Sequence, residues 1–495
     1  MGNENTVLSD SDARHFLRRT GFGAKPSEVA ALSGSTRGEA ASRALGFPPS
    51  KKTFSGRYTE LAQGKWFKHM LSDRTPGLQE KLVLFFHDHF ATSNTVVENT
   101  KFMGKQNALI RYNCRSNFKQ LVKDMNRDAA MMIFLDTVRN EKFIPNENYG
   151  RELLELFTLG VNDLTGNPNY TQADIVQIAR AFTGWSINGS GKAYLDDEYH
   201  DTKEEFPERG DKRIFTETGG FGPSGRLFDD AGEGEQEIDR VVDHIFDHTD
   251  SEGENTVARR LAARLIEYLC HGGYANPAAV KTLAKNVVDQ SNFASTWVIG
   301  DLVYAILVND AFYETAGLPP YSSGAQKSLS WPIDYIVTTL RLLNVAPRGR
   351  YAGIASHEYQ SIWDHSSNMG QSLFEPPSVF GWDWEESWVT SASMLARYKF
   401  ARDVTTARYS SSKSTFHPGD FVDLSLTDAA QIVDAVIDAC GVTGLYTTAE
   451  LDVLIDYATD GSPASPVDLS DYYVRNMKLN GLFALVLQSP AYQLR

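Results

Sequence analysis

Two glutamates three residues apart, Glu152 and Glu155, lie in the run Asn146-Glu147-Asn148-Tyr149-Gly150-Arg151-Glu152-Leu153-Leu154-Glu155-Leu156-Phe157-Thr158-Leu159-Gly160. On a helix that separation is almost one turn, so both carboxylates leave the same side. The spacing suits half of a helical metal site or a general acid/base pair. Arg151 stands at i,i+4 from both Glu147 and Glu155, which leaves Glu152 as the carboxylate still seeking a partner. Leucines and a phenylalanine fill most of the remaining circumference. The run therefore predicts a buried helix from Glu147 to Leu159, capped by Asn146 and ended by Gly160. Carboxylates drawn into such a core must pair, share a proton or bind a cation. The plainer reading is a structural ion-pair network that locks a core helix.

Imidazoles and further carboxylates lie elsewhere in the chain. Phe86-His87-Asp88-His89-Phe90 closes an apolar helical run that begins at Leu78. His87 and His89 point about 160° apart on a straight helix, so a single site would use both only if the helix ended or distorted between them. Asp196-Asp197-Glu198-Tyr199-His200-Asp201-Thr202-Lys203 is a cluster of oxygen and nitrogen donors in an irregular stretch. It reads either as a solvated acidic loop or as a lid that delivers His200 and Asp201 to the central helix. Trp185, Trp382, Trp384 and Trp388 are placed to stack on sugar rings or to pack between helices. The candidate catalytic set is His87, His89, Glu147, Arg151, Glu152, Glu155 and His200. Trp185, Lys203, Trp382 and Trp384 are candidates for substrate contact. A divalent metal ion, if used, would draw on His87, His89, Glu152, Glu155 and Asp201.

The elements that must position these groups are helices. Ser9-Asp10-Ser11-Asp12 opens one that glycines close at Gly21 and Gly23, and Thr171-Gln172-Ala173-Asp174 is a capping-box start for a helix from Ile175 to Trp185. Helical periodicity continues at Ile238–His248, Val257–Tyr268, Pro277–Gln290, Thr296–Val308 and Trp331–Leu343, and returns in short helices after Thr427. Two irregular regions interrupt it, at about 186–236 and 346–390. The fold class is mainly α: a large multi-helix globular domain with long irregular loops and at most minor β-hairpins. Residues 9–345 form a main helical part carrying the site, and 346–495 a C-terminal helical part packed on it, together one continuous unit.

Composition limits the function classes. The 495 residues are 42% apolar, enough for a large core. A net charge of −15 argues against a nucleic-acid or anionic-membrane surface, which needs clustered Lys and Arg. No stretch reaches the roughly 20 apolar residues of a membrane span. The first residues show neither a basic nor an apolar leader segment. Cys114, Cys270 and Cys440 lack metal-ligand spacing and permit at most one disulfide.

Six ordered motifs carry a family resemblance: Arg18-Arg19-Thr20-Gly21-Phe22-Gly23; Phe86-His87-Asp88-His89-Phe90-Ala91-Thr92-Ser93; Asn146-Glu147-Asn148 with Arg151 to Gly160; Ala181-Phe182-Thr183-Gly184-Trp185; His200-Asp201; and Phe374-Glu375-Pro376-Pro377 through Gly381-Trp382. Over roughly residues 9 to 490 the chain resembles the bacterial "domain of unknown function eighteen-hundred" family. The family's usual Trp-His-Asn-His stands here as Phe86-His87-Asp88-His89, which keeps both histidines and adds a carboxylate. The resemblance implies a periplasmic or secreted protein, and a sulfatase-like exported protein as a possible companion. It assigns no activity.

Two mechanisms fit these residues. Histidine and glutamate either hold a metal ion that acidifies water or stabilises an enolate, or perform metal-free acid/base chemistry as in glycoside hydrolysis or uronate elimination. Acidic surface, loop tryptophans and the implied export point to an acidic extracellular polysaccharide, with hydrolase and lyase equally open. The competing class is a non-catalytic exported carbohydrate-binding or assembly protein. A di-iron oxidoreductase would need two Glu-x-x-His pairs, which these helices lack.

Overall fold

The computed structural model describes residues 3–228, 234–270, 277–314, 316–317, 328–346, 362–406, 416–463 and 465–495. Residues 229–233 and 347–361, within the two expected irregular regions, lie outside the described residues. Helices dominate. Many begin where their sequences place a cap: Ser9, Thr36, Thr171, Thr390 and Thr447 each open one with a reciprocal capping box.

The Gly77–His89 helix runs through the middle of the core, with every residue from Leu78 to His89 buried. Its polar side chains are tolerated because they meet partners. Glu80 accepts from Arg111 Nε (2.6 Å) and Nη2 (2.9 Å) on the Thr100–Asn113 helix, and from Trp66 Nε1 (2.6 Å) on the Thr59–Met70 helix. Lys81 pairs with Asp334 at 2.5 Å, which ties the helix to Pro332–Leu342. Bonds also cross between 9–345 and 346–495. Gln63 donates to the Leu373 carbonyl (2.8 Å), Tyr335 to the Leu487 carbonyl (3.2 Å), and Arg18 to the Leu494 carbonyl (2.6 Å).

Strands are few. Trp185–Ile187 pairs antiparallel with Ala193–Leu195, and Arg213–Ile214 with Arg226–Leu227. Both hairpins fall in the stretch expected to be irregular. The helix expected to reach Trp185 spans Gln172–Ala181 instead. Gly184, at φ +76, turns the chain out of helix and lets Trp185 enter a strand. Among the described residues no helix is long and apolar enough to cross a membrane. All three cysteines are free and buried.

The central run departs from the expected single α-helix. An α-helix covers Asn148–Glu152 and a π-helix covers Leu153–Thr158. Leu159 N and Gly160 N both reach the Leu154 carbonyl (2.9 and 3.0 Å), so the last turn is wider than an α-turn. Asn146 Oδ1 accepts from Asn148 N (2.9 Å), and Gly160 ends the run at φ +82. The stripe bearing Glu152 and Glu155 is half-buried rather than enclosed, while Leu153, Leu154, Phe157 and Thr158 face the core. Single-turn π segments of this kind often mark functional sites, because widening the turn re-aims side chains.

Candidate functional site

Glu152 carries the most unusual carboxyl on the central run. Burial, with the charge of Glu155 beside it, pushes its pKa up to about 7, and Arg151 only partly opposes that rise. Its Oε2 is buried with no hydrogen-bond partner. Arg151 is drawn to Glu147 instead (3.0 Å), and Gln172 bridges both residues. Glu155 accepts the Tyr170 hydroxyl (3.1 Å).

Two arginines of the Thr256–Leu269 helix extend this polar seam. Arg260 donates to the Glu155 carbonyl (2.9 Å), and a Cβ at Gly160 would collide with its guanidinium. Desolvation, reinforced by Arg264 one turn on, lowers Arg260 to about 10. Arg264 lies 3.5 Å from Asp88 Oδ2, with its guanidinium 4.7 Å from the Trp384 ring centroid. Asp88 accepts from Trp382 N (2.8 Å) and Trp384 Nε1 (3.0 Å), and burial pushes it up to about 6. The seam thus runs from Tyr170 through Glu155 and Arg260 to Arg264, Asp88 and Trp384. At its Tyr170 end opens a cleft of about 770 Å³. Asn167, Thr171, Thr218, Thr249 and Ser251 supply hydroxyls and amides to its wall and Asp163, Glu217 and Asp250 carboxylates, while among the described residues no Lys or Arg lines it.

Gly381 backs directly onto the Asp88 carboxylate at φ +83. Gly381→Ala should therefore lower stability by about 1–3 kcal/mol through strain and displacement of Asp88, read as a loss of urea midpoint.

The structure does not bring the histidines to the glutamate pair. His87 Nε2 accepts the Phe374 N–H (3.0 Å) among the rings of Trp66, Phe374 and Trp382. His89 Nε2 donates to the Phe157 carbonyl (3.0 Å), so it touches the π segment through its backbone only. Desolvation holds both imidazoles neutral, down to about 3. The helix keeps its course between them, and their opposite directions send them to different partners. His200 is buried against the Thr183 carbonyl (2.8 Å), with Lys212 and Glu237 at its other nitrogen (3.3 and 3.4 Å). Asp201 is held by Arg180 (2.9 Å) and Arg209 (2.5 Å). Asp197, Glu198 and Lys203 of this cluster lie at the surface, as a solvated acidic loop would have them, while His200 and Asp201 turn inward to partners in their own region and not over the central helix.

Of the residues expected to contact substrate, Trp185 and Trp382 are buried, and Lys203 pairs with Asp211 at the surface. Trp384 belongs to the seam. Among the described residues no group of three or more His, Cys, Asp or Glu side chains is placed to hold a metal ion. His87 and His89 each give one ring nitrogen to a backbone group and Asp201 is held by two arginines, so with Glu152 and Glu155 they do not form a coordination sphere. Asp88, Tyr170, Arg260 and Arg264 were not singled out as site residues from the sequence. Only Asp88 carried a signal, as the added carboxylate between two histidines.

No curated protein and no solved structure matches the chain. Residues 15–494, nearly the whole chain, match a family described as "Protein of unknown function (DUF1800)", and the chain belongs to that family.

Proposed function

We propose that this protein is an exported enzyme that cleaves an extracellular acidic polysaccharide by acid/base chemistry carried by its own side chains. Glu152 is the proton donor, and Glu155, steadied by Tyr170, is the carboxylate that works opposite it. One observation carries the reading: a surface-accessible glutamic acid with an orphaned oxygen keeps its proton to about pH 7 beside a second carboxylate. Paired carboxyl groups with environments this different are the usual basis of acid and base roles. Arg260 and Arg264 support the acidic character of the substrate, since planar guanidinium groups recognise carboxylates. The indole of Trp384 and the hydroxyl- and amide-rich cleft beside Tyr170 suit sugar rings. The exported setting and a sulfatase-like companion rest on the family resemblance.

The five candidate metal ligands do not assemble, so no step is routed through a metal ion. A non-catalytic exported carbohydrate-binding or assembly protein is the second reading. It is favoured by the engagement of His87, His89, His200 and Asp201 in packing.

Incubation with acidic polysaccharides distinguishes the readings. New reducing ends alone indicate hydrolysis, reducing ends with unsaturated-uronate absorbance indicate elimination, and binding with neither product supports the second reading. The active form needs protonated Glu152. The rate should therefore hold at mildly acidic pH and fall about tenfold per unit above pH 7, as measured by initial rates across pH.

A further inference from the structure

The end of the central run differs from an ordinary helix end in the groups that satisfy its carbonyls. In an α-helix the N–H of Leu159 would reach the Glu155 carbonyl, four residues back. Here Leu159 N (2.9 Å) and Gly160 N (3.0 Å) both reach Leu154 instead, so the ladder passes Glu155 by. Gly160, at φ +82, then turns the chain out of the helix. Side chains take the carbonyls left behind. Arg260 Nη2 donates to Glu155 (2.9 Å), His89 Nε2 to Phe157 (3.0 Å), and Asn169 Nδ2 to Leu159 and Gly160 (2.9 and 3.0 Å).

Of these donors only Arg260 holds one of the two glutamates. It lies 105 residues further along the chain, on the Thr256–Leu269 helix. Gly160 makes room for it, because a Cβ there would collide with the guanidinium. Arg260, lowered to about 10 chiefly by desolvation, stays charged throughout the range in which Glu152 titrates. Without this donor the Glu155 carbonyl is best satisfied by Leu159 N, its α partner. That exchange closes the widened turn and rotates Glu155 relative to Glu152.

We propose that Arg260 is a positioning residue: by taking the Glu155 carbonyl it keeps the turn in its π register and so fixes the Glu155 side chain beside Glu152. The role rests on the acid/base reading of that pair. A guanidinium suits it, since a rigid plane of donors gives up little freedom for each hydrogen bond formed.

The full-length protein, carrying 13C at its glutamate carboxyls, would be titrated by NMR, with Glu152→Gln identifying the Glu152 signal. Two variants loosen the tie by different routes. Arg260→Gln shortens the donor and removes its charge, whereas Gly160→Ala keeps the charge and displaces the guanidinium. Both should lower the Glu152 midpoint from about 7 by about one unit, because the charge of Glu155 swings away. The sign is diagnostic. Loss of a nearby positive charge alone would raise the midpoint in Arg260→Gln and leave it unchanged in Gly160→Ala. On a cleaved polysaccharide, kcat should fall about 10²-fold with KM unchanged. An unchanged or raised midpoint in either folded variant, a rise in KM alone, or failure of both variants to fold would each overturn the positioning role. Lowered midpoints in a protein whose wild type turns over no polysaccharide would keep that role and remove the enzyme reading instead.

Discussion

Glu152→Gln should remove about 10²–10⁴-fold of the rate on an acidic polysaccharide and leave the protein folded at neutral pH. Glutamine has the shape of the protonated carboxyl but no proton to give, so the loss falls on the step that needs an acid. The folded state already favours the neutral form of this side chain, since its pKa is raised to about 7. The sign follows: the contribution is fully present below the ordinary pKa of about 4.5 and is lost as pH rises from there through about 7. The glutamine variant should therefore unfold at the wild-type denaturant midpoint near pH 4 and at a higher one from about pH 7 upward. Initial rates and urea titrations on the same preparations separate chemistry from folding. A variant that turns over normally, or that is inactive only because it has unfolded, would remove Glu152 from the role of acid. Tyr170→Phe should give a smaller loss, because it deprives Glu155 of one hydrogen bond without removing either carboxylate.

The largest stability effect should come from Glu80, where no chemistry is proposed. Glu80→Ala should cost about 3–5 kcal/mol, measured by denaturant unfolding. The carboxylate is fully buried and receives Arg111 through two nitrogens and Trp66 through its indole. Removing it strands the buried guanidinium of Arg111 without a counter-charge. Replacing both partners together, as Glu80→Met with Arg111→Met, should recover most of the loss, because no uncompensated charge remains. The pair also predicts an acid limit. Arg111 and His69 hold the Glu80 carboxylate down to about 2, against the opposing effect of burial. Its contribution is present above about pH 4.5 and is lost as pH falls toward 2. The wild-type protein should lose stability over that window, and the double methionine variant should lose less.

These two residues show different degrees of legibility. The pattern around Glu152 predicted a carboxylate without a partner, and Arg151 did go to Glu147. The pattern around Glu80 predicted nothing, because its arginine lies on another helix with no periodic signal to link them. The histidines illustrate the same limit. Residue type and proximity to acidic motifs made His87, His89 and His200 chemical candidates. In the fold, His87 and His89 each commit one ring nitrogen to a backbone group, and both nitrogens of His200 meet a backbone carbonyl or buried side chains. Tyr170, Arg260 and Arg264 escaped notice for the converse reason, since each is ordinary in its own segment and becomes significant only beside Glu155 or Asp88.

By itself the sequence determined the mainly helical class, the capped helix starts at Ser9 and Thr171, the glycine stop at Gly160 and the membership of a family. These are local matters of side-chain periodicity, hydrogen-bonding caps and permitted backbone angles within a few residues. Only the tertiary structure decided that the central run widens into a π turn, that its glutamates stand at a half-buried seam, and which arginines join them. Those outcomes depend on groups far apart in the chain competing for space, solvent and hydrogen bonds.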